Sequence, residues 1–159
     1  MTDSAATSIR KTTHLEAPLA RVWAAISDSA QFGAWFGAEF DGPFVAGTTV
    51  AARIRPTAVD PEVARMQAPH AGTPFVVAVE RVDPERRLSF RWHPGGDSTG
   101  PMTLVEFVLE TAPGGTTLTI TESGFDRIPL ERRAKALAGN DEGWTHQLRL
   151  VAAYLALPA

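Results

Sequence analysis

The sequence predicts an α+β fold, a curved antiparallel sheet closed by one long C-terminal helix, and three observations carry that prediction. Leu88, Phe90 and Trp92 alternate with Ser89, Arg91 and His93, and Val105, Phe107 and Leu109 repeat the same period of two, so each strand has one apolar face. Two turn signals, Asp83-Pro84-Glu85-Arg86 and Gly114-Gly115, join such strands as hairpins. Near the end of the chain Trp144, Leu148, Val151 and Leu155 are spaced by four, three and four, which places them on one helical face. An apolar stripe of this kind must lie on an apolar surface, and the inner face of the strands between Phe75 and Glu122 supplies it.

Taken in order, Ile9 to Glu16 is an extended run that ends before Pro18. Pro18 suits a first helical position, and Leu19, Val22, Trp23 and Ile26 then share a face, giving a first helix to about Ser27. Asp28 and Ser29 are capping residues for a second short helix that carries Phe32, Trp35 and Phe36 and stops at Gly37. Thr48 to Arg55 reads as a strand, and Pro56 to Pro74 as a proline-rich connector without periodicity. The hairpin Phe75–Val82 with Leu88–His93 follows, its turn of type I with proline at the second position. Met102–Thr111 and Thr116–Glu122 form the next hairpin, and the final helix runs from Asn140 to Leu157.

A length of 159 residues and a hydrophobic share of 44% suit one domain, residues 1–159, with a single core at about 9–157. The net charge of −3, with both signs interspersed, lacks the clustered Lys and Arg that nucleic acid or an anionic membrane would require. The absence of cysteine removes disulfides, thiol catalysis and thiolate metal sites, and suits the reducing cytoplasm. Met1 to Ser8 has neither the basic nor the apolar region of a signal peptide.

Particular strings sharpen the reading. Ala17-Pro18 with Val22-Trp23, Trp35-Phe36-Gly37, Asp83-Pro84 with Arg87-Leu88 and Trp92, Gly114-Gly115-Thr116 with Leu118 and Thr119, Ser123-Gly124-Phe125, and Gly143-Trp144 with Leu148 and Leu155 follow one another in this order. Together they resemble the START/birch-pollen-allergen-like (SRPBCC) superfamily, in the branch of activators of the heat-shock-protein ATPase. The resemblance implies a helix-grip fold in which about seven strands wrap the C-terminal helix around a hydrophobic cavity. It also implies three possible roles: binding a small hydrophobic or amphipathic molecule, cyclase- or hydrolase-like catalysis in the same cavity, or stress-response modulation of a chaperone ATPase by a monomer or homodimer. Two departures stand out: the long connector at 56–74, and Glu122 where many relatives carry a histidine.

The residues themselves show little chemistry. His14, His70, His93 and His146 are scattered without metal-ligand spacing, no Gly-x-Ser-x-Gly elbow occurs, and Gly95-Gly96 to Gly100 lacks the lysine of a phosphate loop. No metal or cofactor is expected. Arg86-Arg87 and Arg132-Arg133 read as solvated surface. Strict alternation with Leu118 and Ile120 turns Glu122 inward, where Arg53 or Arg91 would pair with it; alternatively it is a wet residue at the rim. Catalysis would need Glu122 and a histidine such as His93. Trp35, Phe36, Phe40 and Phe44 either line a cavity mouth or plug the core. The expected ligand contacts are Trp35, Phe36, Phe75, Phe90, Trp92, Phe107, Ile120 and Trp144, with Glu122 and Arg53 as polar anchors.

Overall fold

The computed structural model describes residues 7–94 and 99–158. Strand β1 (Ser8–Leu15) is followed by helices α1 (Leu19–Ser27) and α2 (Ser29–Phe36), and then by the short strand β2 (Ala38–Phe40). Strand β3 (Thr49–Ile54), helix α3 (Pro61–Gln67) and strands β4 (Pro74–Asp83), β5 (Arg87–Trp92), β6 (Thr103–Ala112) and β7 (Gly115–Ser123) lead to helix α4 (Leu130–Leu155). The seven strands form one antiparallel sheet in the order β1-β7-β6-β5-β4-β3-β2, with α4 lying on its inner face. The fold is therefore the helix grip, and its seventh strand is β2, which at three residues is too short to show a period.

Asp28 ends α1 and starts α2, its carboxylate accepting from the amides of Ala30 and Gln31. Gly37 stops α2 at φ 98°, a left-handed turn that a side chain would oppose twice over, because a Cβ there would also strike the amide of Gln67. The α2 helix points Phe32 into the middle of the sheet. This ring meets Trp35, Phe36, Phe40, Phe44, Phe90 and Phe107 at centroid distances of 4.7 to 6.4 Å, which fills the space between α2 and the strands.

Four expectations need correction. The connector at 56–74 contains α3: Asp60 accepts from the amides of Glu62 and Val63, and Pro61 occupies the first turn, so the prolines start a helix rather than prevent one. The C-terminal helix begins at Leu130, ten residues before Asn140, because Ala134 to Ala138 are strong helix formers that need no continuous apolar stripe. The turn at Asp83-Pro84-Glu85-Arg86 has Glu85 at φ 61°, which excludes type I and fits type II, where proline at the second position is equally at home. The loop of the last hairpin is Pro113-Gly114, while Gly115 belongs to β7 and pairs with Ala112.

Candidate ligand-binding site

Along β7, Leu118, Ile120 and Glu122 point to the same inner face, opposite Leu109, Phe107 and Val105 of β6. Glu122 is thereby carried under α4 and has no exposed surface. A buried carboxylate must be met by donors, and four groups meet this one. The indole of Trp144 donates to Oε1 at 2.8 Å, the indole of Trp92 to Oε2 at 2.8 Å, and the Thr103 hydroxyl to Oε2 at 2.5 Å. The Asn140 amide reaches both oxygens, at 2.9 and 3.0 Å. None of these partners is a cation. The acceptor positions of Glu122 are filled by neutral dipoles from β5, β6 and α4.

The expected arginine partners lie elsewhere. Arg53 sits on the outer side of β3 and pairs with Asp41 at 2.7 Å and Glu39 at 3.3 Å; the hydrogen bond and charge of Asp41 hold its guanidinium above the ordinary value. Arg91 pairs with Glu80 at 2.5 Å across the β4–β5 bulge. Both arginines alternate out of the face that Glu122 occupies, which is why neither reaches it. His93 and Phe75 line a separate open groove of about 670 Å³ with Arg53 and Val76. A further groove of about 730 Å³ at the β4–β5 turn is lined by Arg81, Arg86, Arg87, Asp83 and Glu110, mixed charges facing water.

Above the carboxylate, Trp92 and Trp144 stack with ring centroids 5.6 Å apart and 25° between planes, and Phe36 stands 5.9 and 6.2 Å from them. These three rings, with Gly139, Asn140, Gly143 and Gln147 of α4, line a cleft of about 100 Å³. Gly139 and Asn140 also border a groove of about 470 Å³ that continues past Ala136 and Lys135 to Pro101 and Ile128. A Cβ placed on Gly139 or Gly143 would meet nothing within 4 Å. Each glycine inside a helix costs roughly 1 kcal/mol relative to alanine, so α4 sacrifices helix stability over the space above the tryptophan pair.

The profile of the family described as Activator of Hsp90 ATPase homolog 1-like protein matches residues 16–156. The chain belongs to this family. No curated protein matches the sequence. Among solved structures, this family member resembles DynU16, a protein of the dynemicin biosynthetic locus, at 25% identity and a TM-score of 0.68; the match covers 94% of this chain and 47% of DynU16, so the chain spans about half of that protein. A protein from Arthrobacter aurescens matches at 21% identity and a TM-score of 0.74, over 100% of this chain and 91% of its own. The Aha1 dimer from Colwellia psychrerythraea matches at 16% identity and 0.68, over 94% and 96%. The last two show the shared fold.

Of the residues expected to touch a ligand, Phe36, Trp92 and Trp144 come together at the cleft with Glu122 beneath them. Trp35, Phe90, Phe107 and Ile120 are packed in the closed core; Trp35 donates its indole N–H to the Ala25 carbonyl at 2.9 Å. They plug the interior because the aromatic residues of α2 and the sheet meet ring to ring. Sequence reasoning missed Thr103, Gly139, Asn140, Gly143 and Gln147. The signal for the glycines was present: two at a spacing of four, in a segment otherwise rich in alanine. Among the described residues no group of three or more histidines or carboxylates is placed to hold a metal, and no helix is long and apolar enough to cross a membrane.

Proposed function

We propose that this chain binds a small, flat, largely apolar molecule over the Trp92–Trp144 pair, with one end in the cleft beside Gly143 and the rest in the adjoining groove. The observation that carries this reading is the pair of helix-interior glycines, which leave open space above two rings held in place by Glu122. The cleft-lining side chains are all neutral, and the adjoining groove adds Arg132 and Lys135 but no lining carboxylate or histidine to pair with them as acid and base, which favours binding over cyclase- or hydrolase-like turnover. Glu122, with its acceptor positions filled, is a positioning residue in this reading. A chain without cysteine suits a cytoplasmic binder. The alternative, a homodimer or chaperone-directed module, rests on the family relationship. Among the described residues the most exposed large apolar side chains are scattered along the chain: Val45 in the β2–β3 loop, Met66 on α3, Leu130 at the start of α4 and Leu157 just beyond its end.

Titration with fused-ring aromatic compounds, followed by tryptophan fluorescence and melting temperature, tests the reading. Saturable quenching is expected, with a stabilisation of roughly 2.7 kcal/mol at a hundredfold excess over Kd. Gly143→Leu, which fills the cleft and improves helix propensity, should keep or raise the melting temperature and lose binding. Saturation that is unchanged in Gly143→Leu, or a panel without any response, would favour the protein-interaction module.

A further inference from the structure

We infer that the molecule bound over the tryptophan pair presents a hydrogen-bond donor, such as a phenolic hydroxyl, to Gln147 Oε1; this rests on the binding reading above. Gln147 donates its Nε2 to the Phe36 carbonyl at 3.1 Å. A carbonyl oxygen only accepts, so the orientation of the amide is fixed. Its Oε1 is left buried with no hydrogen-bond partner, on a side chain that lines the cleft. A buried acceptor without a donor is costly, and a ligand group that satisfies it gains affinity.

The other polar groups of the cleft point the same way. The indole N–H groups of Trp92 and Trp144 and the amide of Asn140 are all directed to Glu122. The cleft wall therefore holds a buried, unpartnered acceptor, while the indole and Asn140 donors around it are directed to Glu122. A carbonyl, ether or carboxylate entering beside Trp144 would leave Gln147 Oε1 unpaired and desolvate its own oxygen; a hydroxyl or N–H would pair with it. Size constrains the same molecule. A cavity of roughly 150 Å³ takes a benzene ring, so an open cleft of about 100 Å³ receives the edge of one ring, and a second fused ring lies in the groove toward Ala136.

Three probes of matched shape test this: 2-naphthol, 2-methoxynaphthalene and naphthalene, titrated calorimetrically into the wild-type chain and into Gln147→Met. In the wild type 2-naphthol should bind about tenfold more tightly than its methyl ether, the size of effect expected from one satisfied acceptor. Gln147→Met removes the acceptor and keeps an apolar side chain, so it should still bind all three while erasing the preference. Equal wild-type affinities for the three probes, or a preference that persists in Gln147→Met, overturn the inference and leave the binding site standing. No binding of any probe overturns both. If Gln147→Met fails to fold, the wild-type comparison decides alone.

Discussion

Trp92 and Trp144 stack at 5.6 Å and each gives its indole N–H to a different oxygen of Glu122. One ring comes from β5 and the other from α4, so a single carboxylate sets the relative orientation of two aromatic planes on two layers of the fold. Stacking at this distance contributes roughly 0.5–1.5 kcal/mol beyond area burial. The hydrogen bonds prevent either ring from flipping over.

Glu122→Gln replaces one acceptor oxygen by an N–H₂ group, so at least one indole or hydroxyl donor faces another donor. A loss on the order of 3 kcal/mol is expected from urea unfolding, accompanied by a changed near-ultraviolet circular dichroism of the tryptophans. A loss below about 1 kcal/mol would mean that water enters and satisfies the stranded donors.

Glu85 holds φ 61° at the β4–β5 turn, a left-handed conformation that costs an L-residue roughly 1–2 kcal/mol. Glu85→Gly removes that cost and adds unfolded-state entropy, for a net gain of about 0.5–1 kcal/mol. Glu85→Ala should give no such gain. If both variants unfold at the same denaturant concentration as the parent, the turn is not strained.

Asp60 caps α3, and its carboxyl is held below the ordinary value of 3.8, first by the hydrogen bond from the Val63 amide and then, against partial desolvation, by the Glu62 amide and Arg149. The lowered folded value means that the cap stabilises α3 above the unfolded value and is lost as pH falls through the lower folded one. The Val63 amide resonance should therefore titrate below pH 3.8, and Asp60→Asn should abolish that titration. A midpoint at or above 3.8 contradicts the cap's electrostatic role.

The sheet was legible because alternation in residues 88–92, 105–109 and 118–122 is a direct image of its two faces. The first two helices were legible for a similar reason: Asp28 and Gly37 mark their boundary and end. The α3 helix was also signalled, by Asp60 before Pro61, but four prolines in the surrounding segment masked it. What alternation could not give was partnership. It turned Glu122 inward, yet whether that carboxylate would meet an arginine or a set of neutral donors depends on α4's rotation about its own axis, which a stripe of four apolar residues fixes only loosely. The same limit hid the cleft. Trp35 and Trp144 are alike as residue types, and only the packing around Phe32 separates a plug from a lining.

The donors of Glu122 are split between the two layers. Trp92 and Thr103 come with the sheet, while Asn140 and Trp144 arrive only with the helix, 18 and 22 residues further along the chain. Sliding α4 by one residue would rotate both of its donors by about 100° away from the carboxylate, whereas a greasy helix face would tolerate such a slip. Glu122 thus works as an indexing pin: of the many ways to lay an oily helix in a curved sheet, it accepts one, and it keeps the two glycines of that helix directly over the tryptophan rings.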